Sequence, residues 1–312
     1  MNAILFIIAG LALLILGGSW LLKAAVSLSL WLKIPRIVIG MTIVSLATSA
    51  PELIVSARAA LEGFPDLALG NVIGSNIANL GLVLSLTLLV GSIDVRPSFY
   101  STDWPVMMRA SLLLAGFLFF DGVLSGVEGI IMVSALFFFL LYLLRFQKKA
   151  VETESLEDEV PLPIYKLSLF LLLGGVALWG GSELLIQGAV TLARLLGIGE
   201  RVIGVTVVSV GTSIPEFAAS VVAMVKKEKA ISVGNVLGSN IFNILAVLGI
   251  TAIITPIRVV DQHLLTNDIF WMLGISFLIL PLVFFPKGLR LGWHDGLVLL
   301  AVYVTFLYLT FN

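Results

Sequence analysis

The sequence predicts an all-α polytopic membrane protein, with ten transmembrane helices arranged as two inverted five-helix repeats. Three observations carry that prediction: apolar runs of membrane-spanning length, a pair of polar motifs that occurs twice, and a lopsided distribution of Lys and Arg. Of 312 residues, 59% are hydrophobic and 12% are charged, about half the charge of a soluble domain. There is no cysteine, which removes disulfides, thiolate metal sites and cysteine nucleophiles. A net charge of −1 gives no reason to expect a nucleic-acid partner.

A run of about 20 apolar residues crosses a bilayer as a helix. Such runs lie at 3–32, 36–60, 67–91, 105–120 and 124–145, and again at 165–195, 202–225, 231–255, 269–285 and 292–311. The first has no basic n-region and no small-residue cleavage site, so it is read as a span and not as a cleaved leader. The first and sixth are long, which implies tilt or an interfacial extension. The fourth is short and carries Arg109, close enough to an end to snorkel. The clearly polar connector is the acidic stretch 146–164, too small for a folded domain. It divides the chain into a first repeat, 1–145, and a second, 165–312.

The duplication is explicit. Residues 39–53 read IGMTIVSLATSAPEL and 203–217 read IGVTVVSVGTSIPEF; 70–79 read GNVIGSNIAN and 234–243 read GNVLGSNIFN. From 39 to 203 and from 70 to 234 the spacing is the same, 164. Upstream, Gly17-Gly18-Ser19 recurs as Gly180-Gly181-Ser182 at a spacing of 163, which implies one insertion before the main motif. Five spans per half is an odd number, so the second half enters the membrane from the opposite side. The charge count agrees. All of the 18 Lys and Arg except Arg58, Arg194, Arg201 and Arg258 fall on one face. That face should be cytoplasmic, with the 146–164 linker inside and both termini outside a plasma membrane. Inverted repeats are the usual architecture of secondary transporters, with the substrate site where the repeats meet.

The repeated stretch brings costly polar groups into the membrane. Positions three, four and seven apart share a helix face, so Ser45, Thr48, Ser49 and Glu52 form one stripe and Ser209, Thr212, Ser213 and Glu216 another. Pro51 and Pro215 disrupt the preceding turn and free carbonyls near Ala47 and Gly211. Asn71, Ser75 and Asn79 share a second face, repeated as Asn235, Ser239 and Asn243. Gly70 and Gly74, and Gly234 and Gly238, supply small-xxx-small packing that brings these groups close. The donors are hydroxyl, carbonyl, amide and carboxylate oxygens, the set a hard cation such as Ca²⁺ takes in a shell of about 6–8. Soft ligands are missing, since both His263 and His294 fall in loops. A lone membrane Ser back-bonds to its own helix, and a lone Asn is interhelical glue. Duplication of the whole set lifts the cluster above those readings.

Paired Thr-Ser-x-Pro-Glu and Gly-Ser-Asn-x-x-Asn motifs resemble the two α-repeats of the sodium/calcium exchangers, in the calcium/cation antiporter superfamily. The resemblance covers nearly the whole chain, and the lack of a large inner loop is similar to the prokaryotic type. It implies electrogenic exchange of several Na⁺ for one Ca²⁺ by alternating access, the first and sixth helices sliding past the other eight. By motif position it implies Ca²⁺ ligation by Glu52, Glu216, Thr48 and Thr212. It implies flanking Na⁺ sites at Ser49, Ser75, Ser213 and Ser239 with the carbonyls of Ser45 and Ser209, and Asn79 and Asn243 beside the centre. Some prokaryotic members carry Asp where this chain has Asn243, so two acids are expected and not three.

Charge gives a rule for coupling. Two ionised glutamates are neutralised by one Ca²⁺ or two Na⁺, and an uncompensated pair in low dielectric resists crossing between states. The expected partners are Ca²⁺ and Na⁺ as substrates and the lipid bilayer, with no cofactor, and a monomer suffices. A Ca²⁺/H⁺ or K⁺-dependent exchanger is the alternative, because glutamates also take protons. An intramembrane enzyme would use the carboxylates for acid–base work, but the chain has no H-E-x-x-H or G-x-S-x-G motif. A channel would not need antiparallel halves.

Overall fold

A computed structural model describes residues 2–146, 161–195, 209–211, 213–285 and 288–311. Among the described residues the protein is helical with two minimal strand pairs, and it divides into two compact units. One comprises Met1–Thr48 and Leu144–Asn235, the other Ser49–Leu143 and Val236–Asn312. Each unit therefore draws on both halves of the sequence.

In the first unit, α1 (Asn2–Leu32) packs along α9 (Ile164–Leu195). Glycine makes this approach possible. A Cβ on Gly10 would lie 2.8 Å from Gly181 O, one on Gly17 2.8 Å from Leu178 N, and one on Gly188 2.8 Å from Ala3 O. Partner numbers fall as those on α1 rise, so the helices are antiparallel, and the small residues recur every seven positions as in a close-packed helix pair. This packing corrects the upstream register. The equivalent contacts are Gly10 with Gly181 and Gly17 with Gly174. They relate the halves by the same spacing as the main motifs and require no insertion. The Gly-Gly-Ser triplet misaligns because Gly180 faces open space while Gly181 meets backbone. Gly181→Leu is expected to lower the melting temperature by forcing two backbones apart, whereas Gly180→Ala leaves it unchanged; thermal unfolding of the detergent-solubilised protein checks both.

Also in this unit, α2 (Arg36–Ile39) runs through a π-helical turn, Gly40–Val44, into α3 (Ser45–Thr48). Gly40 crosses Gly234 closely: a Cβ on Gly40 would sit 2.6 Å from Ile231 O. Arg36 and Glu228 form a part-buried ion pair beside that crossing.

The second unit holds α4 (Ala50–Leu61), α5 (Pro65–Ala78), α6 (Ser85–Val90), α7 (Trp104–Asp121) and most of α8 (Gly126–Phe146). Local chemistry sets the ends. Gly122 takes φ 71° to close α7. Ser125 and Glu128 form a reciprocal capping box at the start of α8, Ser125 N–H donating to Glu128 Oε2 at 2.7 Å. The strand β1 (Ile93–Asp94) pairs with β4 (Arg290–Leu291), and β2 (Val123–Leu124) with β3 (Ile257–Arg258), both antiparallel. Ile93 of β1 and Ile257 of β3 stand at the repeat spacing, so the same pairing is made twice.

Helices in the second half follow the first. After α9 and a single turn at Ser209–Gly211 come α10 (Ile214–Val225), α11 (Lys229–Phe242), α12 (Gly249–Ile254), α13 (Ile269–Phe284) and α14 (Trp293–Phe311). Among the described residues, eight helices are long and apolar enough to cross a membrane, and nine if Arg36–Thr48 and Ala50–Leu61 count as one interrupted span. The start of the expected span at 202–225 and the core of the acidic linker lie outside the described residues. Two expected spans start earlier than read. The ninth, expected at 269–285, is Leu264–Phe284 and begins in a π-helical turn, Leu264–Asp268. The fourth, read as 105–120, is Phe99–Asp121. Its polar Ser-Thr-Asp start, which hydropathy reads as a loop, is a π-helical turn, Phe99–Asp103, continuous with α7. Arg109 therefore lies near the middle of the span and not at its end.

Candidate functional site

Both motif helices break at the serine before the proline. Ser49 has φ −85°, ψ 2°, and Ser213 has φ −87°, ψ 2°. The proline then occupies the first turn of the next helix, where a missing N–H costs nothing. Two breaks with nearly the same dihedrals, at equivalent positions of the two motif copies, place Glu52 in the first turn of α4 and Glu216 in the first turn of α10. Both are fully buried at 0% exposure. The positive end of a helix favours an ionised carboxylate there.

Within the first unit, Asn235 organises the surroundings. It follows Gly234, whose close crossing with Gly40 brings α11 against the Gly40–Thr48 stretch. Its Oδ1 accepts from Thr48 Oγ1 at 3.2 Å, and its backbone carbonyl accepts from Ser45 Oγ at 3.0 Å. Its Nδ2 donates to the Glu216 carbonyl at 3.2 Å and to Ser220 Oγ at 2.9 Å. Thr48 thus gives its proton to a protein acceptor and keeps oxygen lone pairs for another partner. Ser45 Oγ also lies 2.8 Å from Gly40 O, a carbonyl of the π-helical turn. Ser213 Oγ is buried and has no hydrogen-bond partner among the described residues. The carbonyl of Gly211, expected to be freed by the break, accepts from Ser182 Oγ at 2.9 Å. Thr212 lies outside the described residues, and of Ser209 only the backbone is described.

Within the second unit, Ser49, Glu52, Ser75, Asn79, Ser239 and Asn243 are all buried, none more than 3% exposed. α4 packs against α5 and against the π-helical turn Asn243–Leu248. Asn79 opens the equivalent turn, Asn79–Leu84. Such turns rotate side chains out of the α-helical register and cluster at functional positions. Both amide atoms of Asn79 and of Asn243 are buried without a hydrogen-bond partner among the described residues. An orphaned buried polar group costs about 1–3 kcal/mol, and an oxygen in that state fits a cation ligand. Asn71 Nδ2 donates to Ser56 Oγ at 3.0 Å, the counterpart of the Asn235–Ser220 bond.

Sequence reading missed three features. Asn235 was placed on the right helix face, but its partners come from other segments and leave no local signal. Asn76 donates to the Asn240 carbonyl at 3.2 Å, joining equivalent positions of the two copies; the repeat spacing marks them as equivalent but not as a pair. Asp103, fully buried, sits in a stretch that hydropathy assigns to a loop.

Each unit thus buries one motif glutamate together with hydroxyl and amide groups. Comparison with known proteins gives the chain a family. The family model described as sodium/calcium exchanger protein matches residues 2–145 and 166–312. The chain belongs to the sodium/calcium exchanger family. Among curated relatives of this family member, the putative antiporter CaxA of Alkalimonas amylolytica is 36% identical over 318 residues, 99% of each chain. The sodium/calcium exchanger MaX1 of Methanosarcina acetivorans is 29% identical, with 98% of each chain covered. A solved structure of the sodium-calcium exchanger NCX_Mj superposes with a TM-score of 0.82 at 25% identity, covering 99% of this chain and 98% of that one. The exchanger-family match spans both motif copies and leaves out the acidic linker between them. The helices of this exchanger-family chain are those of a multi-pass membrane protein.

Proposed function

We propose that the protein is a secondary antiporter that exchanges Na⁺ for Ca²⁺ across the membrane by alternating access, electrogenically. The observation that carries the reading is the repeated placement of a fully buried glutamate just after a broken helix, close in sequence to hydroxyls, in a chain that also buries unsatisfied amides. Burying carboxylates is costly, and a bound cation supplies compensating charge. Glu52, Glu216, Thr48 and Thr212 ligate Ca²⁺. Ser49, Ser75, Ser213 and Ser239, with the carbonyls of Ser45 and Ser209, complete Na⁺ sites, and Asn79 and Asn243 flank the centre. Broken helices whose carbonyl ends face cations are the membrane form of a helix-terminus ion site.

Two buried carboxylates set the stoichiometric logic. One Ca²⁺ or two Na⁺ neutralises them, and any further Na⁺ on hydroxyls and carbonyls makes the cycle electrogenic. The membrane potential then biases transport by about 2.3 kcal/mol per net charge per 100 mV. The architecture proposed with it is ten spans in two inverted repeats, 1–145 and 165–312, joined by a cytoplasmic linker at 146–164, with both termini outside a plasma membrane. The recurrence of the motifs and of the π-helical turns at Asn79 and Asn243 at one spacing, with the strand pairing made twice between the halves, supports it. A monomer contains every proposed ligand. No cofactor and no enzymatic step enter the scheme.

The test is ⁴⁵Ca²⁺ uptake into proteoliposomes under an outward Na⁺ gradient, compared with H⁺ and K⁺ gradients. Uptake driven by Na⁺, and accelerated by a potential of the right sign, is expected. Uptake that follows the proton or K⁺ gradient and ignores Na⁺ would overturn the choice of counter-ion.

A further inference from the structure

The second unit also contains a cavity of about 600 Å³ between α7, α8 and the Asn243–Leu248 turn, lined by none of the proposed ion ligands. Its lining is graded. Ser101, Thr102 and Tyr142 lie toward the start of the Phe99–Asp121 span, and Leu113, Ala135 and Phe138 line the deeper part. Between the two groups stands Arg109, exposed, near the middle of that span. It makes no ion pair or hydrogen bond among the described residues.

A guanidinium at this depth facing hydrocarbon is expensive, and membrane-embedded Arg side chains normally have an anionic or polar partner. Side chains on a helix lean toward its N-terminus, which for Arg109 is the side of Ser101 and Thr102, the polar end of the cavity. We propose that this cavity binds one anionic phospholipid from the surrounding bilayer. Its phosphate is held by Arg109 with hydroxyls of Ser101, Thr102 and Tyr142 around it, and an acyl chain lies along Leu113 and Phe138. The guanidinium offers a planar fork that matches phosphate, and the volume is in the range of ligand cavities, about 300–1,000 Å³. The positive charge without a protein partner selects the headgroup sign, and the apolar depth selects a lipid over free phosphate. Basic pockets between membrane helices bind anionic headgroups on the same physics. This inference does not depend on the transported ions.

Native mass spectrometry of the full chain in neutral detergent, titrated with phosphatidylglycerol or with phosphatidylcholine, tests it. The wild type should hold one phosphatidylglycerol about tenfold more tightly than phosphatidylcholine, the worth of a charge-assisted contact. Arg109→Gln should bring the two lipids within about twofold, while Arg109→Lys keeps part of the preference. Leu113→Trp, which fills the apolar depth and leaves the charge, should weaken both lipids, so the proposal stays testable if the Gln variant does not fold. A phosphatidylglycerol preference that survives Arg109→Gln overturns it. So does tight lipid binding that survives Leu113→Trp, or inorganic phosphate displacing the lipid at equal concentration.

Discussion

Glu52→Gln and Glu216→Gln should each reduce Ca²⁺ transport at least about a hundredfold, because removing one partner of a buried charge system costs about 3–5 kcal/mol. Both carboxylates are fully buried in the first turn of a helix that restarts at a proline. Gln keeps the shape and one oxygen and replaces the other, with its charge, by a neutral NH₂. Without ions the variants should be no less stable than the wild type, since a neutral amide lowers the desolvation cost of the empty site. With Ca²⁺ the ordering reverses. A ligand that binds only the folded state stabilises it by about 2.7 kcal/mol at a hundred times its Kd, and the variants should lose that rise in melting temperature. Flux and thermal shift measured on the same preparations separate loss of binding from loss of fold. Near-normal flux in either variant would contradict a two-glutamate site.

Asn235→Ala should be the most damaging change outside the carboxylates. One side chain accepts from Thr48 and donates to the Glu216 carbonyl and to Ser220. Its loss leaves those groups buried and unsatisfied, at about 1–3 kcal/mol for each that finds no new partner. Thr48 and the Glu216 backbone would both shift, so the apparent KM for Ca²⁺ should rise about 10- to 100-fold. A purely structural role would lower melting temperature and leave KM among the folded molecules unchanged. Asn235→Asp keeps the acceptor for Thr48 but loses the donors and adds a buried charge. It should also raise KM, and its activity should depend more steeply on pH than that of the wild type.

Most helices were legible because membrane burial writes itself into composition over some twenty residues. The glutamates were legible for the opposite reason: a carboxylate in an apolar run is costly enough to demand a role, and a second copy in the same motif removes coincidence. Ser75, Asn79, Ser239 and Asn243 follow from helical spacing, and the structure buries all four. The π-helical turns at Asn79 and Asn243 were not legible, because one extra residue per turn leaves hydropathy unchanged while redirecting a side chain. The Gly-Gly-Ser register misled for a related reason. Sequence identity cannot distinguish Gly181, which meets the backbone of α1, from Gly180, which faces open space. The start of the fourth span was hidden by Ser101, Thr102 and Asp103, polar residues that hydropathy assigns to a loop but that the backbone carries into α7. Asn235 was visible as a polar position on a helix face, but its three side-chain partners sit at sequence separations from 15 to 187, beyond any local pattern.

The most direct test of the central claim is anomalous X-ray diffraction from crystals equilibrated with Ca²⁺. The expected result is one strong peak with an oxygen of Glu52 and an oxygen of Glu216 both within about 2.3–2.6 Å, lost in crystals of either Gln variant. A peak held by one glutamate alone, or Ca²⁺ bound only away from both glutamates, would contradict it.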